Sequence, residues 1–282
     1  MKPSTHPRIL FSKALQHLSL AELGPTVAGL GFDGVDLTAR PGGHVEPANI
    51  AHLLPTAVRT LAAAGAPVVM LTTDLKTPAD PHAQATFAAA AACGIKYLKL
   101  GYIPYHFGQY RPRLAQMQQD ASGFADLGRR HGVCACHHIH SADFMTQSAF
   151  TLEQILHDHD PAHLGAYVDP CHMWIEGLLQ NWLMGLEALG DKIRLVAIKD
   201  FRYPVPVKRL ASGFEYPPFV PLRQGVVAWE QVMRTLLLDL KYQGPLSFHM
   251  EYTGLSRAQE LAAAGDDLVF LNDILHTNFA SR

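Results

Sequence analysis

The sequence predicts an α/β fold, one (β/α)8 barrel over residues 1–282, on three observations. Eight short apolar or β-branched runs recur at fairly even spacing, segments of helical periodicity separate them, and glycines stand just ahead of several runs. The runs cover 8–12, 34–38, 67–72, 96–101, 133–138, 164–169, 194–199 and 245–251, each strand-sized and too short for a helix. Helical spacing of apolar residues covers 20–30, 50–64, 83–92, 111–131, 151–157, 178–189 and 229–240. Gly31, Gly65, Gly94, Gly132 and Gly244 fit left-handed helix caps, where a Cβ would be strained. Strand and helix in strict alternation imply a parallel sheet. Eight such units close into a TIM barrel, while an open doubly wound sheet would carry a glycine-rich nucleotide fingerprint that is absent here.

Bulk properties narrow the function. Hydrophobic residues at 48% and charged residues at 17% supply a large core and argue against disorder. A net charge of -2 and the absence of any basic run give no pull toward nucleic acid or anionic lipid, so the expected partner is a neutral or weakly charged small molecule. No apolar stretch reaches membrane-spanning length and the opening residues lack a signal core, which leads to the expectation of a cytoplasmic protein. Cys93, Cys134, Cys136 and Cys171 do not form a disulfide framework, and the Cys134-x-Cys136 pair reads as core thiols rather than a zinc site. A homo-oligomer is compatible with the sequence. The unusual count is 16 His, several of them clustered at strand ends.

One segment breaks the regularity. Residues 201–227 are rich in proline and aromatics and too long for an ordinary connector. Following strand seven, they are expected to lie over the C-terminal mouth as a lid.

In such a barrel the reactive groups stand at the C-terminal strand ends. On strand two, Asp36 alternates with apolar neighbours and faces inward, with Arg40 or a substrate hydroxyl as its expected partner. The Pro41-Gly42-Gly43 turn brings Arg40 and His44 toward the mouth. Along strand five, period-two alternation puts Cys134, Cys136, His138 and His140 on one face and His137 on the other. Strand six stops at Asp169, with His172 three residues on; strand seven puts Ala197 and Lys199 on one face and Asp200 on the other. On strand eight, Ser247, His249 and Glu251 share a face. His138, Asp169 and Glu251 together make a mixed imidazole and carboxylate set suited to a divalent ion, manganese, magnesium, cobalt or zinc. Such an ion would polarise a carbonyl and acidify the neighbouring C–H.

These motifs, GFDGVDL, His138-x-His140, Asp169-x-x-His172, the strand-seven IKD and the strand-eight HMEY, resemble the sugar phosphate isomerase/epimerase family of xylose-isomerase-like TIM barrels. That superfamily also holds the type 2 apurinic endonucleases. The resemblance spans nearly the whole chain. It implies a divalent ion held by Glu, Asp, His and Glu from strands five to eight. Asp169 and Glu251 match that pattern; His138 stands in place of the first Glu and Ala197 in place of the His. Epimerases of the family use two metal-bound glutamates as bases, so His138 moves the expectation toward one-base chemistry: isomerisation through an enediol, or elimination or hydration beside a keto group.

The expected activity is therefore a metal-dependent isomerase, epimerase or lyase acting on a sugar or keto-sugar. Glu251, Lys199 and His172 are its candidate catalytic groups. Asp36, Arg40, His44, Lys99, His140 and His249 are candidate substrate binders. The competing expectations are an abasic-site endonuclease, disfavoured by charge, and a carbohydrate-binding barrel that has lost catalysis.

Overall fold

The structure is a computed structural model that describes residues 6–177, 181–203 and 217–279. Ten strands follow in chain order: β1 (Arg8–Phe11), β2 (Gly34–Ala39), β3 (Val68–Thr73), β4 (Tyr97–Lys99), β5 (Cys134–His138), β6 (Leu164–Val168), β7 (Ile193–Ile198), β8 (Asp200–Phe201), β9 (Phe219–Val220) and β10 (Leu246–Phe248). Eight of them close into a parallel barrel in the order β1-β10-β7-β6-β5-β4-β3-β2, as the alternation predicts. β8 and β9 form a separate antiparallel ribbon just beyond β7.

The helices are α1 (Leu20–Gly29), α2 (Ile50–Ala63), α3 (Ala83–Ala92), α4 (Tyr110–His131), α5 (Ala149–Leu156), α6 (Pro170–Gly177), α7 (Asn181–Leu189), α8 (Trp229–Arg234) and α9 (Arg257–Phe279). Within the predicted helix 178–189, residues 178–180 lie outside the described residues. No helix among the described residues is long and apolar enough to cross a membrane. The apolar residues of α9 show little helical periodicity, and the sequence reading named no helix there.

Period-two alternation sorts each strand into an inward and an outward row. Ile9, Met70, Cys134, Cys136, Tyr167, Leu195 and Ala197 form a compact buried cluster inside the barrel, apart from the larger core between strands and helices. His137, one residue from His138, points the other way and meets Phe124 of α4 edge-on. The thiols of Cys134 and Cys136 are buried and unoxidised, 3.7 Å apart.

Four of the expected glycine caps hold: Gly31, Gly65, Gly94 and Gly132 all take positive φ. Gly244 is the exception. Lys241 takes the left-handed turn instead (φ 55), and Gly244 is required because a Cβ would stand 2.4 Å from the Arg194 carbonyl oxygen.

The start of α6 is built for the site. Asp169 Oδ1 accepts the backbone N–H of His172 at 3.1 Å, which caps the helix three residues on, and Pro170 occupies the first helical position, where no N–H is needed. The Asp-Pro-Cys-His run thus fixes a carboxylate and an imidazole side by side. The positive end of the helix favours the carboxylate's charge.

Of the segment expected as a lid, residues 204–216 lie outside the described residues. Its two ends are fastened. Phe201 pairs with Phe219, and the outward-facing Asp200 accepts the N–H groups of Val226 and Val227 and the Trp229 indole N–H.

Candidate active site

Three side chains converge on the Lys199 ammonium just past the end of β7. Nζ donates to His172 Nε2 at 2.8 Å and to Glu251 Oε2 at 3.0 Å, and forms an ion pair with Asp169 Oδ2 at 3.3 Å. Lys199 and Asp169 are buried; Lys13 reaches from the end of β1 to hold the other Glu251 oxygen at 2.5 Å. Burial alone would lower the Lys199 pKa, but Asp169 and Glu251 raise it above the ordinary lysine value. For Glu251 burial acts upward, and Lys199, His249 and Lys13 outweigh it and hold the carboxyl well below the usual range. Lysine and glutamate are both charged here.

The imidazoles around this core are neutral. Burial, then the nearby lysines, push His138, His172 and His249 well below the ordinary histidine value, and His140 to about 4. Their hydrogen bonds select tautomers. His172 accepts from Lys199 at Nε2, so Nδ1 carries the proton toward the Ser141 hydroxyl it contacts. Tyr102 Oη is hydrogen-bonded to His138 Nδ1 at 2.7 Å, while Nε2 faces Asp169 Oδ2 at 3.4 Å. His249 is held by Tyr167 Oη at 2.9 Å, leaving Nδ1 buried without a hydrogen bond.

The strand-two to strand-four side differs. Lys99 is buried, its Nζ lies 3.5 Å from the centre of the Tyr102 ring, and no carboxylate among the described residues is in ion-pair contact with it. Burial, then the Arg40 charge, lower its pKa to about 7. Asp36 does not pair with Arg40 as expected. Thr72 and Ser247 donate to its two oxygens at 2.7 and 2.9 Å, while Arg40 lies over the Phe11 ring. Burial raises Asp36 to about 7 against those two hydrogen bonds.

A small pocket of about 60 Å³ opens between the two sides, lined by Phe11, Lys13, Arg40, Thr72, Lys99, Tyr102, His138, His140, Tyr167, Lys199, His249 and Glu251. Ligand sites commonly exceed about 300 Å³, so this one takes the reacting end of a molecule rather than the whole. Larger cavities, about 330 and 390 Å³, lie elsewhere, the first by the N-terminal ends of β4 and β7, where barrels place stability rather than chemistry. Asp169 and His172 stand behind Lys199. Asp36 and His44 do not line the pocket, and His44 Nδ1 instead meets Thr38 Oγ1 at 3.0 Å.

The expected metal cage does not fit this arrangement. Among the described residues no group of three or more His, Cys, Asp or Glu side chains is disposed to hold an ion. The acceptors at 2.8 and 3.0 Å hold an ammonium at hydrogen-bond lengths, with Asp169 Oδ2 in ion-pair contact at 3.3 Å, whereas manganese, magnesium and zinc sit about 2.0–2.2 Å from nitrogen and oxygen ligands. A divalent ion about 3 Å from that ammonium meets a repulsion on the order of 10 kcal/mol at an effective dielectric near 20. The Ala197 methyl lies in the barrel interior and offers no ligand.

Sequence reasoning missed Lys13, Tyr102, Ser141 and Tyr167. Lys13 was legible in principle, since it continues the inward row Ile9, Phe11 past the end of β1. The others act by orienting a histidine on another element, which no single run discloses.

The fold and site define a class: a TIM barrel with a titratable cluster at the C-terminal ends of its strands. The chain belongs to the xylose isomerase-like TIM barrel family, whose model matches residues 26–274. No curated protein matches the sequence. Similar solved structures include a xylose isomerase-like TIM barrel protein from Mycobacterium smegmatis in complex with magnesium (TM-score 0.69, 16% identity, 97% of each chain covered). They also include 3-keto-D-glucoside 4-epimerase from E. coli (TM-score 0.68, 15% identity, 95% of this chain and 99% of that one). A third is D-psicose 3-epimerase in the presence of D-fructose (TM-score 0.66, 14% identity, 95% and 99%).

Proposed function

We propose that the chain is an isomerase or lyase that moves a proton on the carbon beside the carbonyl of a sugar or keto-sugar. The observation that carries this reading is the meeting, in one pocket, of a fixed ammonium and a second buried lysine that is in ion-pair contact with no carboxylate among the described residues. Lys199 donates to the carbonyl oxygen and holds the negative charge that develops there. Lys99, held at about 7, is matched to take the proton near neutral pH. The C–H electron pair then forms the carbon–carbon double bond of an enediolate.

The proton returns to the neighbouring carbon in an isomerisation. In an elimination the enediolate electron pair forms a new carbon–carbon double bond as the hydroxyl or alkoxyl of the next carbon leaves, taking the proton that Lys99 received and departing as water or alcohol. Glu251 serves as a counter-ion rather than the base, because Lys13 and Lys199 hold its charge and depress its basicity. His138, in the place of the family's other glutamate, is neutral and held by Tyr102, so it adds no carboxylate base opposite Lys99, which supports one-base chemistry over symmetric epimerisation. The keto-sugar named for the E. coli neighbour supports the substrate class.

A panel of ketoses and keto-sugars in deuterium oxide, followed by proton NMR, tests the reading. Loss of the signal beside the carbonyl, with or without a new product, is the expected result. Binding with no exchange on any member would replace it with an inactive carbohydrate-binding barrel.

A further inference from the structure

Asp169, His172 and Glu251 come from three different strand ends and converge on one point. A convergent set of two carboxylates and an imidazole acceptor needs a cation, because buried carboxylates without one are costly. The cation at that point belongs to the chain. Two well-angled hydrogen bonds, to His172 Nε2 and Glu251 Oε2, use two of the three Lys199 N–H groups. The Asp169 Oδ2 contact at 3.3 Å is an ion pair without a hydrogen bond, and Lys199 lines the pocket. One N–H therefore remains for an incoming oxygen. Charge is already balanced, with Asp169 and Glu251 against Lys199 and Lys13.

We infer that the Lys199 ammonium is the resident cation of this site, occupying the point where Asp169, His172 and Glu251 meet, so the chain polarises its substrate's carbonyl without a divalent metal ion. The inference rests on the carbonyl chemistry proposed above for its purpose, but its geometry stands without the sugar. It also accounts for Ala197. With the ammonium delivered from position 199, the same inward row has no need of a ligand two residues earlier.

The test uses the full chain purified without chelator or added metal. Elemental analysis is expected to find well under 0.1 equivalent of manganese, zinc, cobalt, nickel or iron. Neither added Mn²⁺ nor EDTA should move the melting temperature by more than about 1 °C, while Lys199→Ala should bind Mn²⁺ at least tenfold more tightly than the wild type. A stoichiometric ion in the wild type, or stabilisation by Mn²⁺ that Asp169→Asn abolishes, overturns the inference. Binding that persists in Asp169→Asn lies elsewhere and leaves it standing. If Lys199→Ala fails to fold, the wild-type measurements decide alone; if it folds and gains no affinity, the inference is overturned. Metal-free protein that exchanges no sugar proton would sink the sugar reading and spare this one, and exchange that stops with EDTA would do the reverse.

Discussion

The two sides of the barrel mouth solve the problem of a buried lysine in opposite ways. Beyond β6, β7 and β10, Lys199 is enclosed by Asp169, His172 and Glu251, and its charge is fixed by its neighbours. Beyond β4, Lys99 has an aromatic ring and, among the described residues, no carboxylate in ion-pair contact, and its charge is set by solvent pH because burial brings it to about 7 against the pull of Asp74 and Asp36. One side supplies a permanent electrophile and the other a proton acceptor. Both need the same residue type and the same burial, so the difference lies in which acceptors the adjoining strands deliver.

Replacing Lys199 breaks the closed side and should have the largest effect. Lys199→Met strips the cation from the buried Asp169 and from the partly buried Glu251, which should cost about 3–5 kcal/mol of stability in a denaturant melt. Proton exchange should fall by roughly a thousandfold, the scale of losing a preorganised donor to a developing oxyanion. A variant with wild-type stability would show that the cluster is not the ion-paired unit described.

Lys99→Met sharpens the contrast, because its effect on stability has the opposite sign. The folded pKa of about 7 lies below the unfolded value of about 10.4, so between those limits the unfolded chain binds the extra proton. Wild-type stability therefore rises with pH from about 7 to about 10. The methionine variant should be more stable by about 1–3 kcal/mol at pH 7, a margin that closes toward pH 10. Exchange should drop by about a hundredfold or more and lose its rising limb near pH 7. A retained limb would assign the proton acceptor elsewhere.

The smallest effect is expected outside the pocket. His44→Ala should leave kcat and KM within about twofold, and lower stability by about 1 kcal/mol through the lost contact with Thr38. A large rise in KM would bring His44 into the binding surface after all.

What could be read from the chain, and what could not, follows the same division between local and assembled features. Period two along a strand is local, and it placed His138 opposite His137, Lys199 opposite Asp200, and Glu251 in the row of His249 and Ser247 before any coordinates were needed. Which inward groups touch is decided by register between strands distant in sequence. Asp36 found Thr72 and Ser247, 36 and 211 residues away, rather than the nearby Arg40. The lysine at the centre of the site was hidden for the same reason. Asp169, Glu251 and His138 were each recognisable as ligand types, but the Lys199 ammonium between the first two is visible only when β7 lies between β6 and β10.

The ribbon beyond β7 bears on how such a barrel diversifies. Phe201 and Phe219 are paired, and Asp200 ties the returning chain at Val226, Val227 and Trp229, one residue after the lysine. Those knots isolate the chemistry from whatever is spliced between them. Segments of different length could be exchanged there with Lys199 remaining anchored to the barrel wall.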